Sequence, residues 1–137
     1  MATTTYLANA YVTVGGTNVS DQCSSAAITA GFDSLEYTAM GSTGHAFTKG
    51  LQAVEVTLTM FNSYGAGEVE AALAALVGLG TTTIVIAPVN GTPSLTNPTY
   101  TITNAMLASF TPINSTVGEL ATVEATFTGG TYARAIA

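Results

Sequence analysis

Few residues in this chain of 137 could do chemistry, and those few stand apart. The only histidine is His45 and the only cysteine is Cys23. A metal site needs clustered His, Cys and carboxylate ligands, and one of each leaves no ligand spacing to find. A nucleophile–base pair would have to join His45 to a serine or to Cys23, and no acid stands near His45 in the sequence to orient its ring. Residues 44–50 share glycines and Lys49 with a phosphate loop. They lack its order, in which Lys follows the last Gly and Ser or Thr follows Lys. Glu68 and Glu70 form the one close pair of acids within a helical pattern, where they suit the positive end of the helix dipole. Asn18, Asn90 and Asn114 head glycosylation sequons, which a Thr-rich chain supplies by chance and which here read as turns. Nothing in these residues supports an enzyme, and no cofactor is implied.

The elements around them explain more. Residues 53–61 alternate strictly. Val54, Val56, Leu58 and Met60 fall on one face, with Ala53, Glu55, Thr57, Thr59 and Phe61 on the other, as in a half-buried strand. Before this strand, residues 39–50 show no periodicity and contain Gly41, Gly44 and Gly50. The stretch is too long for a tight turn, and long ordered loops usually have a function. It holds His45 and Lys49, the latter one of only two cations in the protein.

The charge balance narrows the partners. Only 7% of residues are charged, eight acidic against two basic, for a net charge of −6. Ordinary soluble domains carry about 25%. Two cations cannot form the basic patch that nucleic-acid binding needs, nor one for an anionic membrane. A surface this poor in charge suggests that much of it lies against another subunit. The lone Cys23 reads as a small buried hydrophobe and fits a reducing compartment. No apolar run reaches the roughly 18 residues of a membrane span. Residues 1–5 do not resemble a secretory signal.

Taken in order, residues 10–14 and 17–20 form a hairpin about Gly15 and Gly16. Residues 24–32 form a second strand that continues to Leu35 and Tyr37 past a kink at Gly31. Residues 68–79 carry Val69, Ala72, Leu73, Leu76 and Val77 at helical spacing, with Gly78 and Gly80 as the stop. Residues 82–87, 100–110 and 117–127 are further strands, 88–98 is a turn-rich connection, and 129–137 is a loose tail with Arg134. The expectation is a single mainly-β domain over 1–137. It would be an antiparallel β-sandwich or open barrel of about seven or eight strands, with one flanking helix.

Several stretches together resemble the tail tube (major tail) proteins of long-tailed siphophages, especially those infecting actinobacteria. They are AYVTVGGTNVSDQC at 10–23, TAMGSTG at 38–44, Gly50 and Leu51 opening a strand that runs through Val56, Thr57 and Leu58 to Phe61, NPTY at 97–100 and VGELATVEATFTG at 117–129. The likeness spans residues 10–134 and rests on the order and spacing of these strand and turn patterns. It implies hexameric rings stacked into a hollow tube that conducts DNA during ejection. The subunit would be made in the host cytoplasm and end in the virion tail, beside a tape measure protein and a tail terminator. The loop at 39–50 would reach a neighbouring subunit or ring, with Met40, Gly41, His45, Phe47 and Lys49 at the contact. Relatives place acids and bases in this loop. Here only His45 and Lys49 are available, so hydrogen bonds and apolar packing would carry more of the contact.

A DNA channel also makes sense of the charge. A wall rich in Lys or Arg would hold phosphates, whereas a polar wall with sparse acids offers no wells. Glu55, Thr57 and Thr59, with Thr122, Glu124 and Thr126, are the expected lumen-facing set, and the competing reading makes them a solvated outer face. Two other functions fit less well. A capsid decoration protein of similar fold would assemble on a shell. An immunoglobulin-like or carbohydrate-binding module would want exposed aromatics, and this chain has no Trp.

Overall fold

The computed structural model describes residues 10–78, 80–114 and 116–136. The expectation for residues 1–5 lies outside them, as do Leu79 and the middle residue of the sequon at Asn114. The elements in order are β1 (Tyr11–Val14), β2 (Thr17–Asn18), β3 (Cys23–Glu36), β4 (Phe47–Phe61), α1 (Val69–Ala74), β5 (Thr81–Ala87), β6 (Thr99–Phe110), β7 (Thr122–Thr128) and β8 (Thr131–Ala135). All eight strands belong to one antiparallel sheet in the order β2-β1-β5-β6-β7-β4-β3, with β8 on β6. The fold is thus mainly β with one short helix. Of the two arrangements the sequence allowed, it takes the open single sheet rather than two packed sheets.

The alternation of β4 is borne out. Val54, Val56, Leu58 and Met60 are buried and meet Val123, Ala125 and Phe127 of β7 on the same face. Val12, Val14, Ile84, Ile102 and Ala105 bring β1, β5 and β6 into the same core, and Val69 and Leu73 of α1 cap it. Each large side chain buried there contributes about 1.5–3 kcal/mol.

Four boundaries differ from the sequence reading, each for a local reason. The helix ends at Ala74 rather than 79. Val77 is exposed, and Gly78 takes a φ of +73° that stops the coil. The last core strand starts at Thr122, not 117, because residues 116–121 are irregular, with Val117 and Leu120 in solvent. The supposed loose tail contains β8, which pairs with β6 from Thr103↔Thr131 to Thr99↔Ala135. The irregular segment before the strong strand is only residues 37–46, since β4 already begins at Phe47.

That last boundary was hidden by a β-bulge. Phe32 pairs with Gln52, and the next pair is Ser34 with Lys49, so Gly50 and Leu51 of β4 together face Asp33 of β3. An extra residue on one strand reverses its alternation from there on. Glycine fits the bulge closely, since a Cβ on Gly50 would sit 3.1 Å from Asp33 Cβ and 3.2 Å from Leu35 Cγ, so those side chains would have to shift. A second irregularity lies at Ser24, whose hydroxyl donates to the Thr59 carbonyl at 3.0 Å. At Gly31 itself the pairing with Ala53 is regular, so the expected kink falls two residues later.

Candidate assembly surfaces

Beyond Val54 the β3–β4 hairpin runs on as an arm with almost no buried residue. Its length follows from the pairing, which resumes past the bulge and continues to Glu36↔Phe47. The bulge leaves Phe32, Ser34 and Glu36 of β3 on one face with Lys49 and Phe47 of β4. The Lys49 ammonium lies over the Phe32 ring, 5.0 Å from its centroid, a cation–π contact. The His45 and Phe47 rings tilt together at 6.4 Å. At the tip, His45 Nδ1 meets Glu36 Oε2 at 2.5 Å. The Thr38 hydroxyl donates to the same carboxylate oxygen at 2.9 Å and accepts from the Ala46 backbone N–H. The acid that the sequence failed to place near His45 is therefore Glu36, nine residues earlier and brought across by the hairpin. The pair is largely exposed, without a nucleophile. It fixes the tip's shape and resembles no catalytic arrangement.

The expected contact residues gather on this arm, though not on one face. His45, Phe47 and Lys49 share the face with Phe32, while Met40 and Gly41 lie in the turn at the tip. Met40 is fully exposed, and Phe32, Leu35, Tyr37, Phe47 and Leu51 are all at least half exposed. An arm offering this much apolar surface to water is the signature of an interaction site.

The six residues expected to line a channel do share one face. Thr57 stands opposite Thr126, Thr59 opposite Glu124 and Phe61 opposite Thr122, while Glu55 pairs with Thr128. The face continues onto β3 through Ser25, Ala27 and Thr29, and onto β6 through Met106 and Ser109. It carries Glu55 and Glu124 and no cation. Four strands at about 4.8 Å spacing give a polar wall about 15–20 Å wide.

At one side the sheet does not close. The core-side face of β3 looks into an open cleft of about 780 Å³ between Cys23, Ala26 and Ile28 and the opposing Val12, Ile86 and Tyr100. Cys23 is half-buried there and donates to the Ser25 carbonyl at 3.3 Å. Burial pushes its thiol pKa up, and that hydrogen bond opposes the rise. Asp21 is the only acid lining the cleft, and no base faces Cys23. Among the described residues no three His, Cys, Asp or Glu side chains come together as a metal site would require. Among the described residues, no helix is long and apolar enough to cross a membrane. Among the described residues β3 ends the sheet, and none of them pairs with its outer edge.

No protein-family model matches this sequence, and no curated protein matches it either. Solved structures do match in fold. A chain of the sheath–tube complex of an extracellular contractile injection system, PVC, in the extended state superposes with a TM-score of 0.70 at 19% identity, covering 98% of this chain and 93% of that one. A chain of the same system's sheath/tube terminator matches at 0.71 and 20%, covering 98% of both. A chain from the tail of an empty gene transfer agent particle with C6 symmetry matches at 0.56 and 11%, covering 85% and 82%. The fold is thus shared over most of its length with chains from tails and injection assemblies.

Proposed function

We propose that this chain is a virion structural protein, the tail tube subunit of a siphophage-like particle. Copies close into rings, six being the number the sequence resemblance implies, and the rings stack into a tube through which DNA passes without specific binding. The observation that carries this reading is the single polar, cation-free face spanning β3, β4, β7 and β6, in a fold matched over 85–98% of its length by chains from sheath–tube and tail assemblies. Turned inward, that face repels phosphates weakly and offers no cation to trap them. The outer edge of β3, unpaired among the described residues, supports the same reading. It has no proline and no charge from Cys23 to Phe32, so it is open to a further strand, which a ring neighbour would provide. The arm with Met40, Gly41, His45, Phe47 and Lys49 is the contact to an adjacent subunit or ring. A tape measure protein inside the tube and a terminator at its end are the partners that this role entails.

Electron microscopy of the purified protein tests the reading directly. Stacked rings with Glu55 and Glu124 on the inner wall are the expected result, and finding both on the outside ends the channel assignment. Replacing residues 37–46 by Asn-Gly keeps the Glu36↔Phe47 pair as the end of a two-residue hairpin. That variant should fold and fail to polymerise. Tubes of normal length from it would remove the arm's tip, residues 37–46, from the contact.

A further inference from the structure

The core-side face of the sheet is filled on β4 and bare on β3. Val54, Val56 and Leu58 of β4 are buried, none more than 3% exposed. Their direct cross-strand partners on β3 are Ala30, Ile28 and Ala26. Residues directly opposite one another in a sheet share a face, so these three also look toward the core. Yet Ala26 and Ala30 are exposed, and Ile28 is only half-buried. Among the described residues, the core therefore stops one strand short of the end of the sheet.

The space over this face is the cleft of about 780 Å³, and a second hollow of about 420 Å³ continues it to Ala30 and Tyr132. Both are lined by Ile28 and Tyr100, so together they form one groove along β3. The rings of Tyr100 and Tyr132 stack on its far wall, 5.9 Å between centroids. Ala26 and Ala30 make the room, since larger side chains at either position would fill it. Among the described residues Asp21 is the one charged residue on the lining. The groove thus favours an uncharged segment that brings apolar side chains.

Ala10, the first described residue, lines this groove. The nine residues before it carry no charged side chain and bring two large apolar ones, Tyr6 and Leu7. We propose that residues 1–9 of the same chain occupy the groove, with Tyr6 and Leu7 over Ala26, Ile28 and Tyr100, and complete the core above β3. Reach permits it. Ala26 to Ala30 is about 13 Å at strand spacing, and nine extended residues span up to about 30 Å. Tethering favours it. Joined to the groove's wall at Ala10, the segment is present at an effective concentration on the order of millimolar, which no free partner reaches in dilute protein. The inference goes beyond the tube reading and does not need it, because the segment and the groove belong to one subunit.

Two neighbouring positions on opposite faces of β3 test it. In a Cys23→Ser background, Ala26→Cys puts a thiol in the groove and Ala27→Cys puts one on the other face. Both positions are exposed among the described residues, so with the groove empty the two thiols should react alike with a thiol reagent. On dilute, unassembled protein the expected result is reaction about tenfold or more slower at position 26 than at position 27. Deleting residues 2–9 should raise the rate at position 26 to that at position 27 and leave position 27 unchanged. Tyr6→Asp with Leu7→Asp should do the same in the full-length chain, should the deleted chain not fold. Equal rates at the two positions in the full chain overturn the proposal, as does slow reaction at position 26 that survives both changes. Slow reaction that appears only on assembly also overturns it, since a neighbouring subunit would then fill the groove. Microscopy decides the tube reading separately, because none of these rates requires a tube.

Discussion

A Cβ on Gly130 would lie 2.4 Å from the carbonyl oxygen of Thr103. At this point the chain leaves β7 and rejoins β6 as β8, one residue before Thr131 pairs with Thr103. Gly130 also holds φ at +91°, where an L side chain is strained. Gly129, at +84°, has open space around its Cα. Gly130→Ala should therefore cost about 3 kcal/mol or more, clash added to strain, against about 1–2 kcal/mol for Gly129→Ala. Denaturant midpoints on dilute, unassembled protein measure both. Equal losses at the two sites would mean that the β7–β8 crossover is looser than described.

Body and arm should respond oppositely to truncation. Phe127 is completely buried among Val56, Leu107 and the rest of the core, so Phe127→Ala should lose about 3–5 kcal/mol. Leu51 on the arm is 81% exposed, and Leu51→Ala should stay within about 0.5 kcal/mol in the same assay. Its effect should appear in polymerisation, as a higher critical concentration. A large stability loss at Leu51 would place the arm inside the folded body.

How far each element could be read from sequence depended on how local its cause was. β4 and β7 were legible because both faces alternate cleanly, and the face holding Glu55, Thr57 and Thr126 came with them. The start of β4 was not, since the bulge at Gly50 and Leu51 shifts the phase and makes Phe47 to Lys49 look aperiodic. β8 was missed for a different reason. Thr-Tyr-Ala-Arg-Ala has one residue, Tyr132, that packs on the core, and its strand is dictated by the free edge of β6. The helix was overextended because Leu76 and Val77 continue the apolar spacing while only Leu76 meets the core. The Glu36–His45 contact depends on strand register, which no single segment encodes.

Cys23 gives the fold a dependence on alkaline pH. Its thiol pKa is raised by burial, so the folded state favours the neutral form more than the unfolded chain does. That stabilisation is present below the unfolded thiol's pKa and is lost as pH rises through the higher folded value. As pH rises from about 8.5, the ordinary thiol value, the wild type should lose stability relative to Cys23→Ala. Over the same range a thiol reagent should react more slowly with folded than with unfolded protein. A difference between the two proteins that does not change with pH would show that the thiol is not desolvated.

The proposed channel wall yields a direct functional expectation. Glu55 and Glu124 bracket the Thr57–Thr126 pair on a face with no cation, so tubes of the wild type should release DNA at any moderate salt. Glu55→Lys with Glu124→Lys places two cations per subunit on that face and leaves the buried residues of β4 and β7 untouched. Tubes of this variant should retain duplex DNA at low salt and release it as salt rises, with log affinity falling linearly against log salt concentration. Retention measured by co-sedimentation decides the matter. If the variant tubes hold no more DNA than the wild type, the face does not line the channel; if the wild type already holds DNA with the same salt slope, the passage is not the inert one argued for.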